Sequence, residues 1–306
     1  MATKVYDCII IGGGPAGYTA GIYAARANLS ILCISGDKIS GLMYANEVED
    51  FPGFPKSVKG PELVRLCKEQ AQKFGVEVLV ENVTKVNFKK KPFEVFINGK
   101  KFAGKTIIIA TGASPKLLGI PSEKKLWGKG ISTCAVCDGF LFKGKAVAVV
   151  GGGDTALKEA LYMANLGCEV NLIHRRDEFR AMPILQKRVK ENKKIKLHLN
   201  SEVAEILGKD KVSGVKIKNN KTGKTSEIKV GAVFVAIGHI PNTDFLKGQV
   251  NLDEKGYITT KNETQTSVPG VFAAGDVVDY KYMQAVTAAG SGCKAALDAY
   301  RFLQEN

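Results

Sequence analysis

Short runs of nearly unbroken apolar residues recur along the chain, each closed by glycine or polar residues. Val5 to Ile11, Ser30 to Ile34, Lys105 to Ala110, Ala146 to Val150, Glu169 to Ile173 and Gly231 to Gly238 all have this form. Runs of this length, apolar on both faces and bounded by turn residues, predict buried strands. Val271 to Ala273 reads as a last strand, with Gly275-Asp276 as its turn. Helical stretches separate the strands. Tyr18 to Ala27 is built from small residues, Gly60-Pro61 leads into a helix to about Phe74, and an alanine-rich helix covers roughly Gln284 to Gln304. Phe93 to Ile97 and Lys100 to Phe102 flank Asn98-Gly99, the signature of a hairpin with a type I′ turn. Glu47 to Pro55 reads as a loop.

One order of elements occurs twice. The first strand runs directly into Gly12-Gly13-Gly14-Pro15-Ala16-Gly17, then a helix, then the strand ending Cys33-Ile34-Ser35. Strand, glycine turn, helix and strand is the context that makes Gly-x-Gly-x-x-Gly a dinucleotide site. Gly12 permits the tight turn, Gly14 lets backbone approach a pyrophosphate, and Gly17 lets helix and strand pack closely. The helix N-terminus offers unpaired N–H groups to phosphate. The pattern restarts 139 residues later as Gly151-Gly152-Gly153-Asp154-Thr155-Ala156, between Ala146–Val150 and Glu169–Ile173. Two such units argue for two nucleotide-binding domains.

The two units differ where their second strands end. An acidic residue there hydrogen-bonds a ribose 2′-hydroxyl, whereas arginines accommodate a 2′-phosphate. The second unit continues into His174-Arg175-Arg176-Asp177-Glu178-Phe179-Arg180, which predicts NADP rather than NAD. The first unit has no acid at that strand end. Near the C-terminus, Gly275-Asp276 offers a backbone amide and a carboxylate suited to a polyol and phosphate chain.

Seven cysteines are present, and of these Cys134 and Cys137 are close in sequence, with Asp138 directly after. A Cys-x-x-Cys pair serves thiol–disulfide exchange, forms half of a zinc site, or packs in a core. No second close pair exists, and the three histidines are not spaced as zinc partners, so no metal site is expected. The odd count and scattered spacing do not fit a secreted disulfide framework.

Bulk properties fit a soluble chain of two ordinary cores: 306 residues, 45% hydrophobic and 24% charged. No apolar run is long enough to span a bilayer, and the N-terminus lacks the features of a secretory signal, so a cytoplasmic location is expected and no membrane partner. The net charge of +14 allows an anionic partner. The lysines are spread through hairpin-like segments such as Lys85 to Lys105 and Lys209 to Lys229, without interleaved aromatics. A solvated basic surface is expected, not a nucleic-acid partner.

Together these segments resemble the low-molecular-weight thioredoxin reductases, flavoproteins of the pyridine nucleotide–disulfide oxidoreductase group. The resemblance is carried, in order and over nearly the whole chain, by Ile11 to Gly17, Ala110-Thr111-Gly112, Ser132 to Gly139, Gly151 to Ala156, His174-Arg175-Arg176, Ala274 to Val277 and Gln284 to Gly290. The cysteine tetrad inside the second domain is its most specific part; relatives of the glutathione reductase type carry their pair near the N-terminus.

The resemblance implies an α/β fold with two Rossmann-like, three-layer β/β/α domains, the second inserted into the first. Residues 1–113 and 243–306 would bind FAD, and 114–242 would bind NADPH and carry a redox-active Cys134–Cys137 disulfide. FAD contacts are expected at Gly12, Gly14, Pro15, Ala16, Gly17, Ser35, Thr111, Gly112, Gly275, Asp276, Gln284 and Ala285. NADPH contacts are expected at Gly151, Gly153, Asp154, Thr155, His174, Arg175, Arg176 and Arg180. Electrons would pass from NADPH through flavin and the disulfide to thioredoxin. Cys137 would face the flavin, Cys134 would attack the substrate disulfide, and Asp138 would manage the thiol protons. A homodimer and a rotation of one domain about 111–115 and 238–242 are implied as well.

Two segments depart from the family pattern. Ile39-Ser40-Gly41-Leu42 stands where Gly-Gly-Gln is common, and Met283 precedes Gln284 where arginine is common. Both bear on the flavin contacts. Three other readings compete. A peroxide-reductase flavoprotein would carry an extra N-terminal thioredoxin-like region, whereas this chain starts at its first strand. A sensing module would keep the fold without turnover, against the intact tetrad and both fingerprints. A nucleic-acid role would rest on charge alone.

Overall fold

The apolar runs form the central strands of two sheets, because strands apolar on both sides must be covered on both sides. The computed structural model describes residues 4–37, 41–45 and 47–306. Ile39 and Ser40, half of the first departure, lie outside them. The chain divides into two compact units, Met1–Ser114 with His239–Asn306, and Pro115–Gly238. The second unit is thus inserted into the first.

In the first unit, Glu77–Leu79, Ile31–Ile34, Val5–Ile11 and Lys100–Ile109 lie side by side in parallel. The last of these is ten residues long and serves two layers. Its start pairs antiparallel with Phe93–Ile97, itself paired with Lys85–Asn87, while Ile107 to Ile109 pairs in parallel with Val271–Ala273. The hairpin turn has Asn98 and Gly99 both at positive φ, as a type I′ turn requires. Strand residues alternate between two cores. Cys8, Ile10, Cys33 and Ile108 pack under the helices Pro15–Arg26 and Ala285–Glu305. Ile9, Ile11, Leu32, Ile107 and Ile109 pack against Val86, Phe93 and Val95 of the antiparallel layer. The unit is a three-layer β/β/α sandwich.

The second unit repeats the plan. Its parallel sheet runs Ile195–His198, Glu169–Ile173, Ala146–Val150, Ala232–Val235, Ile131–Ser132. Val147, Val149, Leu172 and Phe234 face the helices Asp154–Asn165 and Pro183–Glu191. Ala148, Val150, Ile173 and Val233 face an antiparallel sheet of Ser201–Leu207, Gly214–Asn219 and Thr225–Lys229. That sheet buries one face and solvates the other, which is where many of the lysines go.

The chain passes between units where Ala113–Pro115 pairs with His239–Pro241. Among the described residues no helix is long and apolar enough to cross a membrane.

Candidate functional site

The two glycine turns share one construction. Gly12 stands at φ +124°, and a Cβ there would fall 2.0 Å from the Ala110 carbonyl oxygen; Gly151 stands at φ +152°, with the Ala236 carbonyl 2.4 Å from a Cβ. Backbone from the neighbouring strand end fills that space, so the turn demands glycine. At Gly14 and Gly153, two residues on, a built Cβ would meet nothing within 4 Å. These residues cap the helices Pro15–Arg26 and Asp154–Asn165 in extended conformation, without a side-chain cap. Each turn therefore offers an open approach to the first N–H groups of a helix, an arrangement that accepts a phosphate group. The donor set and the open space fit the pyrophosphate of a dinucleotide.

Around the first turn, Ala16 is buried under Gly275, whose own φ is +78° and whose N–H donates to Ser291 Oγ at 2.8 Å. Asp276 follows in a single 3₁₀ turn, Gly275–Val277. Its carboxyl is pushed up to about 7, by burial first and by the Asp279 charge second. Ser35 Oγ donates to Gly36 and Leu79 carbonyls at 3.3 Å. Gln284 is the N-cap of the last helix in a capping box with Thr287, and Ala285 is its first residue. Met283 and Gly41, at the two departures, both stand in left-handed backbone, with φ +52° and +51°.

Thr111 and Gly112 follow the strand Lys100–Ile109 and are tied to Asn242. Thr111 Oγ donates to the Asn242 carbonyl at 2.8 Å, Asn242 Nδ2 donates to the Thr111 carbonyl at 2.8 Å, and Asn242 N–H donates to the Gly112 carbonyl at 3.0 Å. Ser114 Oγ donates to Asn242 Oδ1 at 3.0 Å. In the sequence Asn242 is only the end of the 238–242 passage; its bonding spans 131 residues and has no local signal.

In the second unit the basic strand end splits into two roles. Arg175, Arg176 and Arg180 are exposed. His174 is buried: its ring stacks on Phe179, with centroids 5.3 Å apart, and Nε2 donates to the Glu178 carbonyl at 3.0 Å. A Cβ on Gly152 would run into that ring at 2.2 Å. Burial lowers the His174 pKa, and the nearby Arg180, Arg176 and Arg175 charges lower it further, against the Glu178 hydrogen bond. It is thus a neutral support beneath the turn. Arg180 N–H donates to the Gly152 carbonyl at 2.8 Å, and Asp154 Oδ1 accepts from Met182 N–H at 2.8 Å. Thr155 is exposed on the first turn of the helix.

Cys134 and Cys137 form a disulfide, with Cα atoms 5.3 Å apart. Cys134 caps the single-turn helix Ala135–Asp138. Its N–H donates to Ser132 Oγ at 3.0 Å, its Sγ accepts from Cys137 N–H at 3.2 Å, and its carbonyl accepts from Asp138 N–H at 3.1 Å. Cys134, Cys137 and Asp138 are half-buried. Cys8 and Cys33, by contrast, are buried thiols pushed up to about 12 by desolvation and are inert. The disulfide removes the zinc and packing readings of the tetrad.

One group near the tetrad escaped sequence reasoning. Glu159 is buried on the helix Asp154–Asn165, and its Oε1 accepts from Ala135 N–H at 3.3 Å. Its Oε2 is buried with no hydrogen-bond partner among the described residues. The available signal was helical spacing: Ala156, Ala160 and Met163 define a buried stripe, and Glu159 falls on it.

The pyridine nucleotide-disulphide oxidoreductase family matches residues 6–292 of the chain. Thioredoxin reductase of Buchnera aphidicola subsp. Schizaphis graminum is 50% identical over 307 residues, covering 96% of each protein. The solved thioredoxin reductase from Giardia duodenalis is 44% identical and superposes with a TM-score of 0.94, over 98% of this chain and 99% of that one. That from Streptococcus pyogenes MGAS5005 is 40% identical, with a TM-score of 0.94 and complete coverage of both chains. Two glycine turns in separate units, a disulfide in the second, and a match over nearly the whole length agree: the chain belongs to the pyridine nucleotide-disulphide oxidoreductase family.

Proposed function

We propose that this chain is an NADPH-dependent thioredoxin-disulfide reductase that carries FAD in the first unit and binds NADPH in the second. One observation carries the reading: the Cys134–Cys137 disulfide lies in the same unit as the glycine turn with three exposed arginines. The names of the relatives in Buchnera, Giardia and Streptococcus support thioredoxin as the partner.

In this reading Gly12, Gly14 and the start of the helix Pro15–Arg26 take the FAD pyrophosphate, with Pro15, Ala16 and Gly17 forming its bed. Ser35, Thr111, Gly112, Gly275, Asp276, Gln284 and Ala285 complete the flavin site. Asp276, half-buried, is suited to accept a hydrogen bond from a polyol hydroxyl. Gly151, Gly153, Asp154 and Thr155 take the NADPH pyrophosphate. Arg175, Arg176 and Arg180 hold the 2′-phosphate, while His174 braces the turn from behind.

When bound, the nicotinamide and flavin supply the two electrons. The chain supplies sulfur and proton chemistry. Reduction breaks the Cys134–Cys137 bond and gives two sulfurs that share the incoming protons, with Asp138 the nearby acid. The Cys134 thiolate attacks one sulfur of the partner disulfide and releases the other as a thiolate, which takes a proton. Cys137 then attacks Cys134 Sγ, restores the disulfide and frees the second partner thiol. The tetrad must meet both flavin and thioredoxin, and the two chain passages at 111–115 and 238–242 are the proposed pivots. A homodimer in the cytoplasm completes the proposal.

The test uses Cys134→Ser and Cys137→Ser. Both are expected to retain FAD that NADPH bleaches and to lose thioredoxin turnover. Full thioredoxin turnover in either variant overturns the assignment.

A further inference from the structure

We propose that Glu159 is a positioning residue for the Cys134–Cys137 pair that also exchanges a proton with solvent as the pair changes between disulfide and dithiol. This rests on the disulfide-reductase reading and adds to it a second acid besides Asp138.

The geometry gives Glu159 a hold on the tetrad. Ala135, which receives its hydrogen bond, is the residue directly after Cys134 and the first of the single turn that brings Cys137 back. Ala135 and Glu159 are both buried, so the bond is shielded from water and fixes the start of that turn. Oε1 is engaged by this N–H; the proton of the neutral acid therefore sits on Oε2, the atom with no partner. A carboxylate with one oxygen unpaired in a core is costly, which favours the neutral form. The Glu159 pKa accordingly stands at about 7, raised by burial and opposed by the Ala135 N–H.

No neighbouring charge produces that shift. The strand Ala146–Val150 beneath the helix has no titratable residue. The strand Glu169–Ile173 brings Glu169 at its exposed start, and Ile195–His198 brings Lys196 and His198. The helix Pro183–Glu191 brings exposed Lys187, Arg188, Lys190 and Glu191. The group's own helix adds Asp154, Lys158 and Tyr162. The residues after the helix bring the buried thiol Cys168, and the tetrad turn, held at Ala135 N–H, brings Cys134, Cys137 and Asp138.

The balance is simple. Two electrons, from flavin in turnover or from dithiothreitol in the test, break the Cys134 Sγ–Cys137 Sγ bond. One sulfur takes a proton and the other stands as a thiolate. That new negative charge disfavours a second one at Glu159, so above neutral pH the carboxylate takes a proton from water. Re-forming the disulfide releases both protons.

The experiment equilibrates the FAD-loaded protein and Glu159→Gln in dithiothreitol redox buffers from pH 6 to 8.5 and traps thiols by alkylation. The amide keeps an acceptor for Ala135 N–H but cannot titrate. The ratio of dithiol-to-disulfide quotients, unaltered protein over variant, is expected to fall between pH 7 and 8 by several-fold, with about tenfold as the limit for one whole proton. A ratio constant across the range overturns the proposal, since a purely structural role scales the quotient without bending it. Should Glu159→Gln fail to fold, Glu159→Asp is compared instead; its bend is expected to move along the pH axis, and superposition on the unaltered profile overturns the proposal. Neither NADPH nor thioredoxin enters this measurement, so its failure leaves the reductase reading intact, and loss of that reading appears only in thioredoxin turnover.

Discussion

Asn242 and Thr111 clasp one another through two hydrogen bonds of 2.8 Å, side chain to main chain in both directions. The clasp joins the outgoing and returning passages of the chain within the first unit, and Ser114 adds a third bond to the Asn242 carboxamide. Asn242→Ala removes two of these, at about 1 kcal/mol each. The expected result is a melting temperature lowered by roughly 4–8 °C and faster proteolysis at 111–115. Asn242→Asp keeps the acceptor for Ser114 but sets a carboxylate oxygen against the Thr111 carbonyl, and should lose at least as much. An unchanged melting temperature in Asn242→Ala would remove Asn242 as the tie.

The clasp shows where sequence reading stops. Gly12 and Gly151 were legible because each demand is local: a strand, a turn and a helix within a dozen residues. The Asn98-Gly99 turn was legible for the same reason. Asn242 was not, because its partner is 131 residues away. The sequence groups His174 with three arginines as a basic cluster, yet it lies under Gly152 against Phe179; only the tertiary fold turns one basic residue of four inward. The lysines between 209 and 229 carried a helpful ambiguity. They sit in the antiparallel layer whose other face packs on Val233 and Ile173, so a high positive charge and a good core coexist.

Gly14 and Gly153 separate folding from binding. Both have extended backbone that any residue adopts, and both face open space. Gly14→Val is expected to change stability by no more than about 0.5 kcal/mol while the purified protein loses its yellow flavin. Gly153→Val should keep flavin but no longer bleach with NADPH, though dithionite still reduces it. Gly12→Ala is the contrast: its Cβ meets the Ala110 carbonyl, and the protein should fail to fold. Full flavin content in a folded Gly14→Val would show that no pyrophosphate approaches there.

In the proposed function, the exposed Arg175 and Arg176 carry the preference for NADPH. Replacing both with alanine removes two guanidiniums from the proposed 2′-phosphate site, while an NADH molecule has nothing there to lose. The KM for NADPH is expected to rise at least tenfold, with the KM for NADH moving less than twofold. Equal shifts for both nucleotides would assign the arginines to a solvated turn. His174→Ala should behave differently, lowering stability and weakening both nucleotides together, because its buried ring supports the turn under Gly152.

Asp276 is expected to make the flavin-free protein sensitive to pH. Its carboxyl is raised from 3.8 to about 7 by burial and by Asp279. An acid that holds its proton more tightly folded than unfolded gives the native state more bound protons, so stability falls as pH rises. The fall begins near pH 4, where the unfolded chain ionises, and levels off above pH 7, with a full size of up to about 4 kcal/mol. Asp276→Asn should abolish this part of the slope, leaving the variant more stable than the parent at pH 8 and equal to it at pH 4. Loading FAD should flatten the parent's slope too, because a hydroxyl donating to Asp276 favours the carboxylate. Thermal melts of parent and variant, with and without FAD, across pH 4 to 8 read all of this directly. A parent slope that FAD leaves untouched would separate Asp276 from the flavin site.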